Sequence, residues 1–150
     1  MSIKDIRAFV SLSDKLATAG QPSEQQIHAI CESRFDVVIN LGLQDPRYCL
    51  PDEEGLIKSL GMAYHHIPVE FNAPTTENLV QFFQVMDDCQ GKKIFIHCAA
   101  NYRVSCFVSM YVQARYGWSE MQAMEYIRCV WEPDQTWLQF MNNSKAMIDL

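Results

Sequence analysis

Lys93-Ile94-Phe95-Ile96-His97-Cys98-Ala99-Ala100-Asn101-Tyr102-Arg103 is the stretch from which the fold is read. Its first five residues make a short, mostly apolar run, the pattern of a strand covered on both faces of a sheet. Four residues separate Cys98 from Arg103, which opens a helical pattern running to Tyr116 and closed by Gly117. A strand that turns tightly into a helix is the unit from which parallel α/β sheets are built.

Outward from that unit the same alternation recurs. Phe35–Leu41 and Tyr64–Val69 read as two further strands, with Gly42–Pro51 a loop around Asp45-Pro46. Ser23 and Gln26 form a capping box for a helix to about Arg34, and Ser119 and Gln122 form another for a helix to Val130. Asp52–Leu60 reads as a short helix stopped by Gly61. Thr76–Cys89 is a longer one with Leu79, Val80, Phe83 and Met86 as its apolar stripe. A last helix is expected over about Gln135–Met147. The expectation is an α/β fold, one domain over residues 1–150, with a central mostly parallel sheet flanked by helices.

Composition narrows the function. Hydrophobic residues at 49% exclude a disordered chain. A formal charge of -6 argues against nucleic acid or an anionic membrane as a general partner, because both need a basic surface. There is no secretory leader and no apolar run of the roughly eighteen residues a membrane span needs, so a cytoplasmic protein is expected. The six cysteines are scattered without zinc-type pairs, which fits reduced thiols and no metal. Cys31, Cys89, Cys106 and Cys129 lie in apolar helical stretches and read as core. Of His65 and His66, on alternate sides of a strand, one is expected in solvent and the other in the core.

Cys98 does not fit the core reading. Ligands of α/β sheets bind beyond the carboxyl ends of the strands, and Cys98 stands at such an end. Backbone N–H groups of Ala99, Ala100, Asn101 and Tyr102, with the helix dipole behind them, would make an anion cradle. Arg103 in a first helical turn is dipole-unfavourable unless it meets an anion, and its fork suits two phosphate oxygens. A thiol in that field is drawn toward thiolate, a nucleophile aimed at a tetrahedral anion. His97 is expected to hydrogen-bond the loop backbone, and Tyr102 at the loop's tip is placed to touch substrate. Trp131, Trp137, Phe140 and Met141 read as core or pocket wall.

His97-Cys98, a short loop, Arg103 and Ser105 together resemble the phosphate-binding loop of cysteine-dependent protein tyrosine and dual-specificity phosphatases. Thr18-Ala19-Gly20-Gln21-Pro22, Val38-Ile39-Asn40-Leu41 and His66-Ile67-Pro68-Val69 narrow the resemblance to a bacterial tyrosine-phosphatase-like group, over about Leu16 to Phe140. The resemblance implies a dual-specificity-phosphatase-like fold and Cys98 as the nucleophile. Arg103 and the loop amides would hold phosphate, and Ser105 would stabilise the departing sulfur. It implies no cofactor. The substrate would be a phosphotyrosine protein or a small phosphomonoester, with phosphate, sulfate or vanadate as site ligands.

Two departures stand out. The family loop has five residues between cysteine and arginine, whereas four stand here, so either the loop is tighter or the arginine has moved while Ser105 keeps register. Asn101 replaces the usual glycine, and asparagine tolerates the left-handed backbone such a loop needs. The acid that should follow the second strand is missing as well. Phe71 takes its slot, leaving Glu70 beside it and Asp134, in Trp131-Glu132-Pro133-Asp134, as candidates. A phosphatase is the leading reading. A pseudo-phosphatase that binds phosphorylated partners comes second and a rhodanese-like sulfurtransferase third.

Overall fold

The computed structural model describes residues 2–148. After a 3₁₀ turn at Ile3–Asp5, strands β1 (Val10–Ser13) and β2 (Leu16–Ala19) form an antiparallel hairpin. Helix α1 (Glu24–Glu32), β3 (Val37–Asn40), α2 (Glu53–Ser59), β4 (Ala63–His66), α3 (Thr76–Asp88) and β5 (Ile94–His97) follow. The chain closes with α4 (Tyr102–Tyr116), α5 (Glu120–Val130), α6 (Gln135–Asn143) and α7 (Lys145–Ile148). The sheet order is β1-β2-β5-β3-β4, with every pairing beyond the hairpin parallel. The expected α/β architecture is therefore present, with β5 at the centre.

Alternation along the strands builds a core on each face. Val37, Ile39, Ile94 and Ile96 pack with Leu79, Phe82, Phe107 and Trp137 from α3, α4 and α6. Val38 and Phe95 point the other way, onto Ile27, Ile30 and Ile57 from α1 and α2. Helix α4 is buried without a break from Arg103 to Val112. A helix buried all round needs no polar stripe, and this one runs through the interior from the end of β5.

The structure departs from the sequence expectations at several points, and Val80, expected in the apolar stripe of α3, is 40% exposed. The hairpin β1–β2 was not foreseen, and it lengthens the sheet by two strands. The last helix is broken at Ser144, which is buried and donates its N–H to the carbonyls of Phe140 and Met141 at 3.1 and 3.2 Å. Cys129 lies on the exposed face of α5 rather than in the core. His65 and His66 are both half-buried, and His66 pairs through Nε2 with the Gly42 carbonyl at 2.7 Å. Among the described residues no helix is long and apolar enough to cross a membrane.

Candidate active site

The site grows from the carboxyl end of β5, where Ala19 and Asn40 flank His97 on the neighbouring strands. Asn101 has φ 68° and ψ 6°, the left-handed conformation expected of it, and directs the chain into α4. Its buried side chain donates to the Ala8 carbonyl at 2.9 Å and to Thr18 Oγ1 at 3.1 Å. Thr18 in turn pairs with the Tyr126 hydroxyl at 2.9 Å.

The segment from Thr18 to Pro22 frames the loop from outside. Cys98 N–H donates to the Ala19 carbonyl at 3.4 Å, and Gln21 N–H donates to the Ala99 carbonyl at 3.0 Å. Glycine is required between them, since a first side-chain carbon on Gly20 would stand 2.6 Å from the Ala99 oxygen. A trans peptide is planar, so the Ala99 carbonyl turned outward sends the Ala100 N–H inward. Cys98 itself is 1% exposed.

Arg103, the second residue of α4, is 5% exposed. Nη1 donates to the Val69 carbonyl at 2.9 Å and Nη2 reaches the Tyr48 hydroxyl at 3.5 Å. Asp45 joins this corner. Its hydrogen bonds from Arg47, with a smaller attraction to Arg103, hold its carboxyl down at about 2. Ser105 Oγ donates to the Tyr102 carbonyl at 2.9 Å and accepts from Trp131 Nε1 at 3.2 Å; among the described residues it makes no hydrogen bond to Cys98.

Three aromatic rings cluster beside the loop. Tyr102 and Trp131 stack with centroids 4.4 Å apart, and Phe71 packs on them at 6.2 and 5.7 Å. Trp137 Nε1 donates to the Phe71 carbonyl at 2.9 Å. The two candidate acids neighbour these rings in sequence, Glu70 beside Phe71 and Asp134 three residues after Trp131. Glu70 is exposed on the segment leaving β4, and Asp134 is exposed at the start of α6, where Oδ1 caps Trp137 N–H at 3.0 Å.

Behind the loop lies a pair that the sequence did not disclose as such. His97 and Glu53 meet at 2.6 Å between Nε2 and Oε2, at 0% and 6% exposure. His97 Nδ1 faces the Cys98 carbonyl at 3.3 Å, and Gln21 Nε2 donates to Glu53 Oε1 at 2.8 Å. Burial would raise the Glu53 carboxyl, yet attraction to His97 and the bonds from His97 and Gln21 outweigh it and hold it below its ordinary value. Tyr48 and Glu53 are the site residues that sequence reasoning missed. Glu53 had a signal, because it lies one turn before Ile57 on the face of α2 that meets the sheet.

Residues 7–148 match the model of a family described as a DSP-PTPase phosphatase fused to NAD+ kinase. No curated protein matches the chain. A crystal structure of a DUF442 protein from Shewanella putrefaciens CN-32, assigned as a phosphatase, is similar at 32% identity and a TM-score of 0.87, covering 97% of this chain and 96% of that one. Tk-PTP in its active form shares the fold at 20% identity and a TM-score of 0.79, over 93% and 97% of the two chains. P. aeruginosa TpbA in complex with pTyr shares it at 13% identity and a TM-score of 0.67, over 95% and 83%.

Proposed function

Because the chain belongs to the DSP-PTPase phosphatase family that its residues 7–148 match, we propose that it hydrolyses phosphomonoesters through a phosphocysteine on Cys98. The observation that carries this reading is the left-handed turn at Asn101, which seats Cys98 at the end of the central strand and Arg103 in the first turn of a buried helix. Anions are favoured at such a helix start, where unpaired amides and the dipole act together.

In the first step the Cys98 sulfur attacks phosphorus and the ester P–O bond breaks, while Arg103 and the amides of Ala99, Ala100, Asn101 and Tyr102 hold the equatorial oxygens. The leaving oxygen takes a proton from Asp134 or Glu70. Asp134 is the stronger candidate, because its segment is tied to the loop through Trp131, by the stack on Tyr102 and the bond to Ser105. Water then attacks phosphorus while giving a proton back to that carboxylate, the P–S bond breaks, and phosphate leaves with the sulfur restored. The chemistry requires a reduced thiol, which suits the cytoplasm. Substrates are phosphotyrosine proteins or small phosphomonoesters, and phosphate, sulfate and vanadate occupy the same cradle.

Phe71 favours a second reading. An aromatic ring where an acid should stand suits a module that binds phosphorylated partners and turns them over slowly. Aryl phosphate turnover across pH separates the two. Cys98→Ser should abolish turnover, and Asp134→Asn should lower it by roughly a hundred- to ten-thousandfold while flattening the limb that reports the acid. The same loss in Glu70→Gln alone would move the proton donor there. Turnover that survives Cys98→Ser would remove the mechanism, and tight vanadate binding without hydrolysis would establish the binding module.

A further inference from the structure

The buried group the mechanism leaves idle is Glu53. Its two oxygens serve two separate arms. Oε2 meets His97 Nε2 at 2.6 Å, and His97 Nδ1 faces the Cys98 carbonyl at 3.3 Å. Oε1 accepts from Gln21 Nε2 at 2.8 Å, and the backbone N–H of Gln21 donates to the Ala99 carbonyl at 3.0 Å. The arms therefore end on consecutive carbonyls of the loop. In a planar trans peptide a carbonyl held outward forces the following N–H the opposite way. We infer that Glu53 is a positioning residue, whose carboxylate, through His97 and Gln21, fixes the Cys98 and Ala99 carbonyls outward and so aims the amides of Ala99 and Ala100 at the bound oxyanion.

This inference rests on the phosphatase reading of the loop and adds to it a residue from α2, remote in sequence. The two ring nitrogens of His97 face two oxygens, Glu53 Oε2 and the Cys98 carbonyl. A glutamine at position 53 can preserve the pattern: its amide donates to His97 Nε2, the ring donates from Nδ1, and its oxygen accepts from Gln21. An alanine cannot.

The test compares Glu53→Ala, Glu53→Gln and Gln21→Ala in the full chain, each checked for folding by circular dichroism. The probes are orthovanadate inhibition of aryl phosphate turnover and orthophosphate protection of Cys98 against iodoacetamide. Glu53→Ala should weaken vanadate inhibition by about tenfold or more, the scale of a lost charge-assisted hydrogen bond. Cys98 should still be alkylated in that variant, and its protection should need about tenfold more phosphate. Glu53→Gln should recover most of the vanadate affinity, and Gln21→Ala, which keeps its backbone bond to Ala99, should lose about threefold. Vanadate affinity unchanged in a folded Glu53→Ala, or a folded Glu53→Gln no better than alanine, would overturn the inference. Should Glu53→Ala fail to fold, unchanged affinity in Gln21→Ala would do the same. Failure of the phosphatase reading itself would look different, since wild type would then show no vanadate inhibition and no phosphate protection.

Discussion

Asn101 shows at the scale of one residue how backbone and side chain divide a task. Its φ of 68° closes the loop, and its amide holds Ala8 and Thr18. Asn101→Gly keeps the conformation and loses the bonds, which should cost about 1–2 kcal/mol of stability. Asn101→Ala loses the bonds and adds about 1–2 kcal/mol for a left-handed backbone, so it should be the worse of the two. Urea denaturation of both variants checks the ordering, and equal losses would mean the backbone angle carries no cost. The angle was legible in the sequence, because few residue types other than glycine adopt it. The bonds to Ala8 and Thr18 were not, since they join positions 93 and 83 residues apart. Glu53 was hidden for the same reason, its partner His97 lying 44 residues away.

At the scale of elements, capping signals are local and were readable. Ser23 with Gln26, and Ser119 with Gln122, both form the reciprocal bonds that their spacing promised. Ser23→Ala and Ser119→Ala should each lower stability by about 1 kcal/mol in urea melts. Neither should change turnover, because α1 and α5 hold no residue of the loop. The β1–β2 hairpin leaves a weaker mark, because β1 merely alternates between half-buried and exposed positions and two of the four residues of β2 are alanines, poor strand formers. The interruption at Ser144 escaped notice for another reason. The apolar spacing continues across it, and only the burial of a small polar residue marks the break.

At the scale of the whole molecule, titration brackets the stability. Glu53 is held below its ordinary 4.5 in the fold, where its attraction to His97 and the bonds from His97 and Gln21 overcome the cost of burial. Its contribution is therefore complete above that value and is lost as pH falls through the depressed one. Tyr64 runs the opposite way. Burial, partly offset by its bond from Asn40, pushes it from 10.0 up to about 12, and burial likewise raises Tyr126 against its bond to Thr18. Those contributions are complete below 10.0 and are lost as pH rises toward the folded values. Calorimetry across pH should show Tm falling on both sides, with a shallower acid limb in Glu53→Gln. An acid limb identical to wild type in that variant would show that other carboxylates govern it.

Helix α4 carries Arg103 at its mouth and Phe107 and Tyr111 in the interior, with no hinge between them. The loop end of the helix thus has no suspension of its own. Whatever repacks the middle of the protein re-aims the guanidinium, so a change deep in the interior is passed on to the loop.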